Sequence, residues 1–98
     1  MKILLVEDKD SLRQMLATAI KKAGYRVDEA ADGNTAVERI RKQPYQLVIT
    51  DLRLPSLSGL EILKIQKETD PTIPVLLMTA YGTIEEAVAK AESLAEAA

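Results

Sequence analysis

An α/β fold with a parallel sheet is the class this 98-residue chain predicts, and three observations predict it. Short runs rich in Val, Ile and Leu alternate with stretches whose apolar residues recur every three or four positions, the pattern of strands taking turns with helices. Three of the apolar runs end in polar groups: Ile3-Leu4-Leu5-Val6 in Glu7-Asp8, Leu47-Val48-Ile49-Thr50 in Asp51, and Val75-Leu76-Leu77-Met78 in Thr79. Ser11 with Gln14, Ser58 with Glu61 and Thr83 with Glu86 have capping-box spacing, in which a hydroxyl and a long polar side chain satisfy exposed amides where a helix begins.

Each element follows in order. Residues 2–6 form the first strand, and Leu12, Met15, Leu16, Ala19, Ile20 and Ala23 make the inner face of a helix near 11–23 that Gly24 ends. Over 26–30, Val27 and Ala30 stand among Arg26, Asp28 and Glu29, a weakly apolar run that suits an edge strand. Asp32-Gly33 makes a turn, Ala36, Val37 and Ile40 face inward from a helix near 34–42, and Pro44 stops that helix before the strand 46–51. A third helix near 58–68 turns Leu60 and Leu63 inward, and Pro71 and Pro74 punctuate the approach to the strand 74–78. From about 83 a last helix buries Ile84, Ala87, Val88, Ala91, Leu94 and Ala95.

Composition narrows the function classes. A chain of this length supports one modest core, so one domain is expected over 1–98. Its 47% hydrophobic and 29% charged residues are a globular balance, and no apolar run approaches the roughly 18 residues of a membrane span. The net charge of −2 offers no basic excess for nucleic acid or anionic lipid. With no cysteine and no histidine, thiolate and imidazole metal sites are excluded, and any metal must be held by oxygen, which favours a hard cation such as Mg2+. The short apolar run after Met1-Lys2 is no secretory signal, so the expected location is cytoplasmic.

In open α/β sheets ligands bind at the carboxyl ends of the strands, where Glu7, Asp8, Asp51 and Thr79 all stand. Crowded carboxylates raise one another's pKa unless a cation offsets them. Glu7, Asp8 and Asp51, with the backbone carbonyl of Arg53, would make an open Mg2+ site whose remaining positions take phosphate oxygens. Asp51 is then placed as a nucleophile that forms an acyl phosphate. Taken alone, Glu7 and Asp8 read equally as an acidic turn favoured by a helix dipole, and it is Asp51 that tips the balance.

These residues resemble the receiver domains of two-component response regulators. The likeness is carried by Leu4-Leu5-Val6-Glu7-Asp8, by Asp51-Leu52-Arg53-Leu54-Pro55 through Gly59, and by Val75-Leu76-Leu77-Met78-Thr79-Ala80. Within the family, Asp51-Leu52-Arg53-Leu54-Pro55 and Thr79-Ala80-Tyr81-Gly82-Thr83 look most like the receivers of nitrogen-regulator-type, sigma-54-dependent activators. The resemblance implies a flavodoxin-like sheet of order 2-1-3-4 and a phosphoryl group received on Asp51 from a sensor histidine kinase, which acts as the partner. It implies Mg2+ on Glu7, Asp8, Asp51 and the Arg53 carbonyl, and Thr79 as the switch hydroxyl, with Ala80 leaving room for the phosphoryl group. Such a domain accepts a group and is not itself an enzyme.

Two departures stand against that pattern. Relatives continue into a fifth strand bearing a lysine and a fifth helix, whereas residues 89–98 here read as an atypical helical tail, so a truncated sheet without those elements is expected. The strand 75–78 would then be an apolar edge, and self-association into a homo-oligomer through it or through helix 83–98 is expected. In the third helix, Gln66 occupies a position relatives fill with an aliphatic residue, and Ile65 beside it faces outward in the same register; either the helix is rotated or an apolar spot is exposed there, and an ordinary surface isoleucine is the preferred reading.

Other function classes fit less well. A truncated or engineered receiver fragment acting as a self-associating assembly module accounts for the tail but not for the strand-end carboxylates. An aspartate-nucleophile phosphatase needs a general acid two residues after the nucleophile, and Arg53 stands there. Neither a glycine-rich dinucleotide turn nor a phosphate-loop lysine motif occurs, and Gly59 and Gly82 read as turn formers.

Overall fold

The structure, a computed structural model, describes residues 2–78. The expectations for Thr79, Ala80, the Thr83–Glu86 cap, helix 83–98 and the tail 89–98 lie outside the described residues. In chain order the elements are β1 (Lys2–Val6), α1 (Asp10–Lys22), β2 (Arg26–Ala30), α2 (Gly33–Lys42), β3 (Leu47–Asp51), α3 (Gly59–Thr69) and β4 (Val75–Met78). The strands pair in parallel in the order β2-β1-β3-β4, as expected, with β2 at one edge and β4 at the other among the described residues.

The sheet is covered on both faces, which explains why β1 and β3 read as unbroken apolar runs. Successive side chains of a strand point to opposite faces. Leu4, Val6 and Val48 accordingly join Ala36, Val37, Ile40, Tyr45 and Ile62 under α2 and α3, while Ile3, Leu5, Leu47 and Ile49 join Leu16, Ala17 and Ile20 under α1. Full burial of one such Leu or Ile contributes about 1.5–3 kcal/mol.

Two helices are turned differently from the sequence reading, and each has a local reason. In α1 the buried residues are Leu16, Ala17 and Ile20, whereas Met15 is 56% exposed. These are the positions three, four and seven residues after Arg13, so the arginine itself heads the inner stripe. Ser11 does not cap this helix: the N-cap residue is Lys9, whose carbonyl accepts the Arg13 amide at 2.9 Å and whose side chain makes no cap bond. Gly24 does end it, at φ +96°, with the Gly24 amide on the Lys21 carbonyl and the Tyr25 amide on the Ile20 carbonyl, a Schellman closure that a side chain at that φ would strain.

In α3 the inward residues are Gly59, Ile62 and Gln66, and Leu60 is 57% exposed. A Cβ at Gly59 would collide with the main chain of Asp51 and Leu52, so this face must lie against the sheet, and positions three and seven residues on follow it inward. Gln66 is therefore buried at 3% exposure, and Ile65 packs against the core instead of facing outward. The expected cap holds here: the Ser58 side chain accepts the Glu61 amide at 3.3 Å. At α2, Asp32 is the cap itself, accepting the Thr35 amide at 2.7 Å, and this bond holds the Asp32 carboxyl below its usual range.

Toward the amino ends of the strands lies a closed polar network. The Tyr45 hydroxyl donates to Asp28 at 2.7 Å, the Gln43 amide donates to Asp28 at 3.2 Å, and the Lys2 ammonium lies 3.3 Å from the same carboxylate. Lys2 also donates to Gln43 at 2.8 Å. Burial works to raise the Asp28 pKa, but the Tyr45 and Lys2 hydrogen bonds and the Lys2 charge hold it below the usual value. Burial, with the Asp28 hydrogen bond and charge, pushes Tyr45 up to about 12.

Candidate functional site

The carboxyl ends of β1 and β3 are where this sheet reverses its order: from β1 the chain runs outward to β2, and the next strand returns to the other side of β1. Ligands bind at such switch points because the loops diverge and leave a crevice. Glu7 and Asp8 follow β1 directly, and Asp51 is the last residue of β3. One carboxylate oxygen from each of the three lies within 4.8 Å of the others, so the residues that the sequence singled out do converge.

Their environments differ. Glu7 is 1% exposed, Asp51 is half-buried and Asp8 is exposed. Burial is the main cause that pushes the Glu7 carboxyl up to about 7. The Lys9 amide, which donates to Glu7 at 3.1 Å, opposes the shift, while the Asp8 carboxyl and the Asp51 carboxyl and charge add to it. No Lys or Arg side chain forms an ion pair with Glu7, Asp8 or Asp51 among the described residues. Three carboxylates lacking a countercharge can together hold a metal ion through oxygen, and such an ion would offset their mutual repulsion.

The loop after Asp51 is fixed around that carboxylate. The Arg53 amide donates to the Asp51 side chain at 3.1 Å, and the Gly59 amide donates to the Leu52 carbonyl at 3.0 Å, closing the loop on its own base. Ser56 sits at φ +67°, a left-handed conformation that an L-residue adopts at a cost, and Leu57 packs on Gly33 at the start of α2. On the other side, the Leu52 amide donates to the Met78 carbonyl at 3.0 Å, which ties the end of β4 to the end of β3.

Sequence reasoning passed over Arg13. Its guanidinium donates to the main-chain carbonyl of Glu7 at 3.0 Å and to Asp10 at 2.7 Å. The signal available was a cation five residues beyond Asp8 and in helical register with Leu16 and Ala17.

A family profile described as the response regulator receiver domain matches residues 3–97. The chain belongs to that family. This receiver domain is 39% identical over 84 residues to sporulation initiation phosphotransferase F of Bacillus subtilis, covering 86% of this chain and 68% of that protein. It is 41% identical over 86 residues to the transcriptional regulatory protein ZraR of Escherichia coli, covering 88% of this chain and 20% of that protein. Among solved structures, the response regulator protein TrrA from Thermotoga maritima in complex with Mg(2+)-BeF superposes with a TM-score of 0.88 at 26% identity, covering 95% of this chain and 97% of that one. The flavodoxin-like receiver fold read from the sequence is therefore the fold of the protein. No helix among the described residues is long and apolar enough to cross a membrane.

Proposed function

We propose that this receiver domain accepts a phosphoryl group on Asp51 from the phosphohistidine of a sensor histidine kinase, with Mg2+ held by Glu7, Asp8, Asp51 and the Arg53 carbonyl. The observation that carries the reading is the meeting of three carboxylates, unpaired with any basic side chain among the described residues, at the switch point of the sheet. When bound, the divalent cation supplies charge neutralisation for carboxylates and phosphoryl oxygens alike.

The chain's own residues do the rest. Asp51 presents a carboxylate oxygen from a rigid strand end, and that oxygen forms a bond to phosphorus as the phosphorus–nitrogen bond of the donor breaks and the imidazole leaves with the electron pair. The Arg53 amide, 3.1 Å from Asp51 Oδ1, orients the carboxylate and leaves its second oxygen for attack. Glu7 offers its carboxylate from a buried position and Asp8 from an exposed one, so the ion would be held between the protein interior and solvent. Thr79, which follows Met78 in the sequence, takes the switch role by likeness to the family: a phosphoryl group adds nearly two negative charges and three acceptors, which a hydroxyl can bind only in the phosphorylated state. The role is that of an acceptor rather than a catalyst of turnover.

The test is incubation with a small phosphodonor and Mg2+, read by intact mass. The expected result is one phosphoryl adduct on the parent chain, dependent on Mg2+, and none on Asp51→Asn. An adduct on both, or on neither, overturns the assignment.

A further inference from the structure

Arg13 joins three elements through one guanidinium. Nη1 donates to the Glu7 carbonyl at 3.0 Å, Nη2 to Asp10 Oδ1 at 2.7 Å, and Nε lies 3.4 Å from Glu29 Oε1 on β2. The side chain is only 15% exposed, although it leaves the first turns of a surface helix. A rigid planar fork presents donors on three separate nitrogens and so spans acceptors that lie apart, a reach that the three donors clustered on the single nitrogen of a lysine do not have.

The target of this fork is the turn that carries the site. The Glu7 amide is held by the Ala30 carbonyl at 3.0 Å and the Glu7 carboxylate by the Lys9 amide at 3.1 Å, so Arg13 completes the hold by taking the Glu7 carbonyl. Among the described residues it is the one side chain that hydrogen-bonds the main chain of the Glu7-Asp8 turn. We propose that Arg13 is a positioning residue for the acidic site: clamped between Asp10 of α1 and Glu29 of β2, it fixes the backbone from which Glu7 and Asp8 reach toward Asp51. The proposal rests on the reading of that site as the place of Mg2+ binding and phosphoryl transfer. Arg13 acts through the Glu7 carbonyl and touches neither ion nor phosphoryl group.

A residue that merely supported the fold would alter stability and leave the folded protein's metal affinity intact. The experiment therefore measures Mg2+ binding by titration calorimetry, and phosphoryl uptake from a small phosphodonor as a function of Mg2+, on the parent, Arg13→Met, Arg13→Lys and Glu29→Gln, each shown to be folded at the working temperature. Arg13→Met is expected to raise the Mg2+ dissociation constant about tenfold, the low end of what residues behind metal ligands contribute. The Mg2+ dependence of uptake shifts by the same factor, while the rate at saturating Mg2+ is retained. Arg13→Lys restores charge without the fork and recovers only part of the affinity, and Glu29→Gln shows a smaller loss in the same direction.

A folded Arg13→Met with the parent's Mg2+ constant, or one that loses maximal rate with that constant unchanged, overturns the proposal. Should Arg13→Met not fold, parental Mg2+ constants in both Arg13→Lys and Glu29→Gln overturn it equally. If the parent itself neither binds Mg2+ nor takes up phosphoryl, the reading of the site falls first, which separates that failure from one confined to Arg13.

Discussion

The two ends of the sheet treat their charges in opposite ways. Toward the amino ends, Asp28 is surrounded by Lys2, Gln43 and the Tyr45 hydroxyl, and its carboxyl is held below the usual pKa. At the carboxyl ends, Glu7, Asp8 and Asp51 face one another, and burial with like charge lifts Glu7 to about 7. Burial works to raise the pKa of both Asp28 and Glu7, more fully at Glu7, but only Asp28 has donors and a cation that outweigh it. The difference is completeness. A network whose donors and acceptors are matched stabilises the fold and asks for nothing more, whereas one left unbalanced is a binding site for whatever supplies the missing charge.

The largest expected effect is the all-or-none loss of phosphoryl uptake in Asp51→Asn, with the fold retained, because the substitution removes the nucleophile and also one of the repelling charges. Intact mass measures the first, and a urea melt the second.

Glu7→Gln comes next. The folded-state pKa of Glu7, about 7, lies above its ordinary 4.5, so between those values the folded protein binds the proton that the unfolded chain releases. In metal-free protein this group leaves stability undiminished below about pH 4.5, erodes it as pH rises, and exerts its full penalty above about pH 7. At about 1.4 kcal/mol per pH unit the penalty is of order 3 kcal/mol. Urea unfolding at pH 8 without metal should show Glu7→Gln more stable than the parent by up to that amount, and the two should converge toward pH 5. Saturating Mg2+ should narrow the gap by stabilising the parent more than the variant, which keeps only part of the ligand set. An unchanged gap from pH 5 to 8 would break the contrast between the two ends.

At the other end, Tyr45→Phe removes a buried hydroxyl and leaves Asp28 short of a donor. A loss of about 1–2 kcal/mol is expected in urea melts. The Mg2+ constant should not move, and a shift in it would show that the two clusters are not independent. The smallest effect belongs to Ser56. Its left-handed backbone is strained for an L-residue, and Ser56→Gly relieves that strain while adding freedom to the unfolded chain, for a net gain below about 1 kcal/mol. The midpoint of thermal unfolding reads it.

Much of this was legible in the residues, and the limits have physical causes. The strands were visible because burial on both faces demands continuous apolar runs, and the site because a carboxylate ending such a run has no reason to be there for packing. The rotations of α1 and α3 were not. Periodicity gives an apolar arc, but which part of it meets the sheet was decided by Arg13 in one helix and by the contact of Gly59 with the Asp51 main chain in the other. Met15 and Leu60 were read as inward for want of that information, and both are exposed. Gln66 looked misplaced in an apolar stripe, yet it is buried because the glycine seven residues earlier turned its face inward. The amino-end network gave no local signal at all, since Lys2, Asp28 and Tyr45 come together only through pairing of strands distant in sequence.

That distance bears on how the site comes into being. Strands β1 and β2 can pair across the short α1 connection, but β1 meets β3 only after the chain has closed a loop from Ile3 to Leu47. Loop-closure entropy makes such a junction a late one to form. Whatever binds across those two strand ends thus bridges the least local pairing of the described sheet, joining segments that the chain brings together last.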